Sequence, residues 1–224
     1  MCGRFAQLPL QSPNRLPWPA LADAFAALPA RYNLAPGQNA GVVIHRDGQT
    51  ELANLHWGLL PFWAKELSLG SHTFNARLET VDEKPAFRAA FKARHAAIPM
   101  AGYYEWKTTP GGKQPYFIHP EHTADTLWIA GLWEPRHALQ TDAGTGSFTL
   151  ITQPAEGVPA EVHSRMPVFL EQRDVEDWLG LARGPSMPFL LTRSLPALKT
   201  RPVAKRVNKG VDDDAGLIEP IALP

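Results

Sequence analysis

The sequence predicts an α+β fold built on an antiparallel, barrel-like sheet. Three observations lead there. Short strand-like runs follow one another in the middle of the chain without a βαβ rhythm. Helical spacing of apolar residues is confined to a few stretches. The 22 prolines and 17 glycines are scattered along all 224 residues, and no internal repeat or low-complexity block interrupts them. With 44% apolar residues, seven Trp and ten Phe, the composition is that of a globular chain. At 24.7 kDa, one domain with a substantial core is expected.

In chain order, "PALADAFAALPA" (19–30) reads as an early helix. "NAGVVIHRD" and "TELANLHWGLL" flank the turn signal Asp47-Gly48 and read as a hairpin. "KPAFRAAFKARH" (84–95) reads as a helix with Phe87 and Phe91 at i, i+4. Strand-like runs follow in "AAIPM", "GYYEWK", "QPYFIHP", "TLWIAGLWE" and "SFTLITQP". "EQRDVEDWLGLA" (171–182) reads as a further helix, whereas "FLLTRSLPAL" fits either state. The basic stretch "KTRPVAKRVNK" (199–209), followed by the acidic run 212–214, reads first as a solvated surface segment and second as a nucleic-acid contact.

Several function classes are excluded or disfavoured. Lys plus Arg and Asp plus Glu both number 22, so the formal net charge is zero. That argues against a broad duplex-DNA clamp, though a short groove lined by a few arginines needs only local asymmetry. No window of ~18 uninterrupted apolar residues suggests a membrane span. The start lacks a basic segment followed by an apolar one, so a cytosolic, nucleoid-associated location is expected. A single cysteine excludes an intramolecular disulfide framework and a cysteine-based zinc cage. The histidines lack ligand spacing, so no metal or other cofactor is expected, and nothing demands more than a monomer.

That cysteine, Cys2, stands beside the initiator methionine, where a core cannot easily use it. Removal of Met1 would leave a 1,2-aminothiol whose amine titrates near about 7.7–8.0 and whose thiol near about 8.5. The thiolate could attack an acyl carbon with the amine as base. Alternatively the amine could condense with an aldehyde, and the sulfur could close the imine into a thiazolidine. In "FNARLET" (74–80), Asn75, Arg77 and Glu79 alternate and would share one face of a strand. Glu105 sits among aromatics in "AGYYEWK", a setting that raises a carboxyl pKa and suits proton shuttling. His163 and Arg165 lie in the turn-like "VHSRMP", and the tryptophans of "HWGLLPFWAK" could stack on bases. Taken singly, each of these also fits a structural role.

The ordered set "MCGRF", "RYNLAPGQ", "WGLLPFWAK", "FNARLET", "KPAFRAAFKARH", "AGYYEWK", "AGLWE", "ITQPA", "HSRMP" and "VN" near 208 resembles the SRAP family, SOS-response-associated peptidase-like proteins that process abasic sites in DNA. The resemblance runs from residue 2 to about 210 and implies one SRAP domain over 2–224 once Met1 is lost. It further implies a groove for single-stranded DNA containing abasic sites, and a thiazolidine crosslink formed by Cys2. By the same resemblance, Asn75 holds the reacting terminus and sugar, Glu105 serves proton transfers, and His163 attends the sugar hydroxyl and reversal of the crosslink. Arg4, Arg77 and Arg165 would bind phosphates, Trp63 would offer an aromatic wedge, and Asn33 with Pro36 would lie near the active site. Abasic-site lyase activity is an implied side reaction. Ser164 and His95 depart from the Asp and Cys frequent in the family. Two other readings compete: an N-terminal-nucleophile amidohydrolase or peptidase, and a non-covalent single-stranded-DNA module.

Overall fold

The computed structural model describes residues 2–10, 16, 18–140, 144–180 and 186–223. Among the described residues, thirteen strands and five short α-helices alternate with 3-10 turns. In chain order they are β1 (Phe5–Gln7), α1 (Ala22–Ala26), β2 (Arg31–Leu34), β3 (Asn39–Arg46), β4 (Gln49–Trp57), β5 (Asn75–Arg77) and α2 (Arg88–Ala93). Then come β6 (His95–Met100), β7 (Gly102–Thr109), β8 (Gly112–Pro120), β9 (Leu127–Pro135), β10 (Gly146–Pro154) and α3 (Gly157–Ala160). The chain continues through β11 (Arg165–Pro167), β12 (Phe169–Leu170), α4 (Val175–Gly180), α5 (Ser186–Leu191) and β13 (Leu198–Pro202).

The larger sheet closes on itself. Strands β4, β3, β6, β9 and β10 pair in that order, and β10 returns to β4. A closed ring leaves no open edge among its members. The expected antiparallel pattern holds except at β10, which runs parallel to β4 and β5 because the long connection from residue 57 to 146 brings it back in the same direction. A second sheet, ordered β13-β8-β7-β1-β2, stands beside the ring. The mixed α+β class therefore holds, with helices peripheral to sheet.

Alternation along the ring strands assigns each side chain to a layer. On β9, Leu127, Ile129 and Trp133 join the cluster that includes Val42, Leu55, Trp57, Ile98 and Phe148. Trp128, Ala130 and Leu132 instead join the cluster capped by Phe87, Phe91, Val175 and Trp178 from the helices. A strand buried on both faces reads as an unbroken apolar run, which is why "LWIAGLW" lacks visible alternation. The third residue of the inner row is Gly131. A Cβ there would lie 2.4 Å from Ile98 Cδ1 and 2.6 Å from the Thr149 carbonyl oxygen, so the ring closes over a position that tolerates no side chain.

Elements read from sequence appear, but shorter. The hairpin turn has φ of 53° at Asp47 and 80° at Gly48, the double left-handed geometry that a two-residue turn requires. The stretch 19–30 yields a 3-10 turn over Pro19–Leu21 and α1, because prolines at 19 and 29 bound it. In 84–95 the helix begins only at Arg88, after turns bonded to the Lys84 carbonyl, yet Phe87 and Phe91 do share one buried face. The stretch 171–182 gives a 3-10 turn and α4 to Gly180; its last two residues lie outside the described residues. "FLLTRSLPAL" divides between α5 and an extended connection into β13. The basic segment 199–209 is no free surface tail: β13 pairs with β8, and Val203 and Val207 are fully buried. Arg206 is held by Asp212 and Asp214. His95 opens β6 with its ring stacked 3.8 Å from that of Trp178.

Gly131→Ala should lower stability by about 1–3 kcal/mol in urea denaturation, since the added carbon meets a backbone carbonyl that cannot step aside. An unchanged midpoint would mean that the ring is looser than drawn.

Candidate functional site

Cys2 is held by a side chain from β5. Asn75, the first residue of β5, donates from Nδ2 to the Cys2 carbonyl oxygen at 2.7 Å. Pairing of β5 with β10, Asn75 opposite Leu150, fixes that amide in place. Contrary to the expectation that a core cannot use it, Cys2 is 0% exposed and packs with Phe5, Trp57, Tyr103 and Phe148. Its thiol lies 3.9 Å from the Arg4 carbonyl oxygen. Burial pushes the thiol pKa up, and the nearby Glu105 carboxylate pushes it further.

Glu105 projects from β7 and is 3% exposed. Burial raises its pKa; His163 opposes the rise, with Nδ1 3.8 Å from Oε1. His163 follows α3, where the Pro159 carbonyl accepts its backbone N–H at 3.0 Å. Nδ1 lies 3.0 Å from the Arg165 backbone N–H and 3.3 Å from the Arg165 carbonyl oxygen, so the tautomer decides which of the two it bonds. Beside this pair opens a cleft of about 490 Å³ lined by Phe74, Glu105, Trp106, Lys113, His163 and Asn208. A buried carboxyl with a raised pKa, an imidazole and a held chain terminus together can move protons at a carbonyl carbon. Among the described residues, no group of three His, Cys, Asp or Glu is placed to hold a metal ion.

The expected phosphate anchors differ in availability. Arg4 donates from Nη1 to Asn33 Oδ1 at 2.8 Å and to the Val207 carbonyl at 3.0 Å. Arg165 binds both oxygens of Glu79 and the Thr152 carbonyl, and its guanidinium holds the Glu79 carboxyl below the usual range. Arg77, at the exposed end of β5, has no side-chain hydrogen bond or ion pair among the described residues. Asn75, Arg77 and Glu79 do not share one strand face, because β5 ends at Arg77 and Glu79 sits in a 3-10 turn over Leu78–Thr80.

Asn33 is 1% exposed, and its amide is fully engaged. Nδ2 donates to the carbonyls of Val207, Lys209 and Asp212, and Oδ1 accepts from Arg4. It thus joins β2 to the segment that carries Asn208, whose Oδ1 accepts the Trp106 indole N–H at 2.8 Å. Trp63 is 44% exposed beside Phe62 at 78%, but it lines a separate groove with Lys65, Leu69 and His72.

A family model described as SOS response associated peptidase (SRAP) matches residues 1–210. The chain belongs to the SRAP family. Similar SRAP relatives include the abasic site processing protein YoqW of Bacillus subtilis, 36% identical over 151 residues, a match covering 66% of each chain. YoaM of the same organism is 32% identical over 193 residues, or 84% of each chain. YedK of Escherichia coli is 27% identical over 99% of this chain and 100% of its own length. Among solved structures, a Bordetella bronchiseptica protein superposes with a TM-score of 0.71 at 27% identity, covering 91% of this chain and 100% of that one. A Bacteroides thetaiotaomicron protein, at TM-score 0.73 and 21% identity, shares the fold.

Within the SRAP frame, the structure gathers Cys2, Asn75, Glu105 and His163; of these Glu105 and His163 line the cleft, whereas Cys2, Asn75, Arg77 and Trp63 do not. Trp106 and Lys113 were not singled out from sequence. Trp106 looked like an ordinary strand aromatic, and Lys113 enters only through the β7–β8 register, which places it opposite Thr108.

Glu105 supplies a pH test. A carboxyl whose folded pKa is raised contributes stability below its unfolded value, near about 4.3, and loses it as pH rises through the folded value. Glu105→Gln removes that loss. The variant should match the wild type in acid and become more stable than it as pH rises past the ordinary carboxylate range. Parallel pH profiles of urea midpoints would contradict a buried, raised Glu105.

Proposed function

We propose that the protein captures abasic sites in single-stranded DNA covalently, through the amine and thiol of Cys2 after Met1 is removed. The observation that carries this reading is the Asn75 amide on the Cys2 carbonyl, which holds Cys2 near Glu105, itself beside His163. Relatives named abasic site processing proteins support abasic sites as what it acts on. Loss of Met1 would create the amine.

The chemistry then runs in balanced steps. The Cys2 amine adds to the C1′ aldehyde of the ring-opened sugar. One amine proton passes to the new alkoxide; Glu105, protonated because burial favours its neutral form, then gives its proton to the resulting hydroxyl, and water leaves as the protonated imine forms. The Cys2 thiol returns a proton to the Glu105 carboxylate, and sulfur adds to the same carbon. The C=N electron pair returns to nitrogen, which is left as a neutral N–H, closing the thiazolidine. With its proton on Nε2, the His163 ring faces the sugar as a donor. An imine at C1′ also acidifies C2′, so β-elimination is the side reaction of a stalled ring closure.

DNA would be held by Arg77 and by the remaining N–H groups of Arg4 and Arg165, with Trp63 available for stacking. Asn33 would act by fixing Arg4 rather than by touching the strand. A single strand suits the cleft because its sugar can be turned out without unpairing a base. Neutral overall charge implies modest affinity for intact DNA, and the covalent bond provides retention. One protomer suffices for every step.

Met1-free protein incubated with single-stranded DNA carrying an abasic site should give a heat-stable shifted band. Cys2→Ala should give none. Asn75→Ala should slow band formation by about tenfold or more while changing affinity for intact strand little, because it loosens the reacting end and leaves the phosphate anchors. A Cys2→Ala variant that forms the band as fast as wild type would refute the reading; glutaminase activity without a band would favour an amidohydrolase.

A further inference from the structure

Tyr103 carries a hydroxyl that the fold leaves unsatisfied. The side chain is 0% exposed, and its oxygen has no hydrogen-bond partner among the described residues. Buried hydroxyls are almost always paired, and an unpaired one destabilises the fold unless some group meets it in another state. A phenylalanine would fill the same space without that cost, so packing does not account for the oxygen.

Geometry says what could meet it. Tyr103 and Glu105 are two apart on β7 and therefore point to the same face of that strand. Tyr103 stands opposite Phe5 on β1 and belongs to the buried cluster that contains Cys2. Its ring packs at a tilt against that of Phe169, with centroids 6.3 Å apart. The charged or titratable groups facing this spot are Cys2 and Glu105, with His163 behind Glu105. A negative charge on either of the first two, added to burial, holds the phenol in its protonated form. Tyr103 is thus a lasting O–H donor at a site whose chemistry generates anions. Cys2 is the partner that lacks a donor of its own: among the described residues its Sγ bonds only the Arg4 carbonyl, which accepts and cannot stabilise a thiolate.

We propose that the Tyr103 hydroxyl donates a hydrogen bond to the Cys2 sulfur when that sulfur is ionised, and so positions and stabilises the nucleophile for ring closure. The inference deepens the proposed capture reaction and rests on it for the use of the thiolate. No bond is broken at Tyr103: the thiol proton leaves to the Glu105 carboxylate freed by imine formation, the phenol keeps its own proton, and the sulfur electron pair forms the new S–C bond. The phenol offsets, at that moment only, the burial that makes the thiolate costly. It is a positioning residue, distinct from Glu105, which carries protons.

The test uses Tyr103→Phe in the Met1-free protein, with three readouts. Cys2 is the only cysteine, so thiolate absorbance in the ultraviolet and alkylation rate against pH report that one thiol without interference. Charge-assisted hydrogen bonds are worth enough that the thiol pKa should rise by about one to two pH units and the crosslinking rate at saturating abasic DNA should fall by about ten- to hundredfold. Affinity for intact single strand should be unchanged, and the thermal midpoint should be equal or higher because the orphaned oxygen is gone. The thiol titration needs no DNA, so it distinguishes failure of this inference from failure of the capture reaction. If Tyr103→Phe leaves both the thiol titration and the crosslinking rate at wild-type values, the hydroxyl does not serve Cys2. A lowered thermal midpoint with an unchanged thiol titration would likewise assign it to packing.

Discussion

A chain terminus is the hardest place to build a reactive site, because only one covalent neighbour restrains it and terminal residues usually fray. The hydrogen bond from Asn75 Nδ2 to the Cys2 carbonyl is the constraint that overcomes this. It reaches from a strand locked to the closed ring, so the rigidity of β10 passes through β5 to the second residue of the chain. On its other side, β1 begins at Phe5 between β7 and β2, three residues from the thiol. Freezing Cys2 this way costs conformational entropy, which burial of its side chain among Phe5, Trp57 and Tyr103 offsets.

The same logic orders the charges. An overall neutral chain cannot attract DNA through net field, so local placement decides. Arg4 and Arg165 are each tied to internal oxygens before any ligand arrives. Such bonding fixes a guanidinium plane and leaves its outer N–H groups aimed. Arg77 and Lys113 are exposed and can follow a flexible backbone. The acidic run 212–214, which looked like a solvated counterpart to the basic stretch, instead builds structure. Asp213 accepts the backbone N–H of Asn33 at 3.0 Å, and Asp214 caps the 3-10 turn over Ala215–Leu217.

Much of the fold was legible because local chemistry demanded it. Asp47-Gly48 can hardly form anything but a tight hairpin, and the alternating Ala53, Leu55 and Trp57 of β4 fill one buried face, whereas β3 is buried on both, with Val42 and Ile44 in one cluster and Val43 in the other. The ring closure was not legible. It depends on β10 returning parallel to β4 across about ninety residues, and no local pattern encodes a partner so distant. Helix lengths were overread for a similar reason: apolar spacing continues into segments that prolines and strand pairing then claim. For the site, Cys2 was conspicuous as a lone cysteine, and Glu105 as a carboxylate among aromatics. The burial of Cys2, the engagement of Asn33 and the unpaired oxygen of Tyr103 could not be read, since each is a property of what surrounds a residue rather than of its type.

The central claim is that one carbon of the lesion becomes bonded to both the nitrogen and the sulfur of Cys2. Carbon-13 NMR of the adduct formed with DNA labelled at the abasic C1′ tests it directly. The account predicts a saturated carbon attached to the Cys2 nitrogen and sulfur together. A signal from an unsaturated imine carbon, from a carbon bonded to sulfur alone, or from attachment at a lysine nitrogen would contradict it.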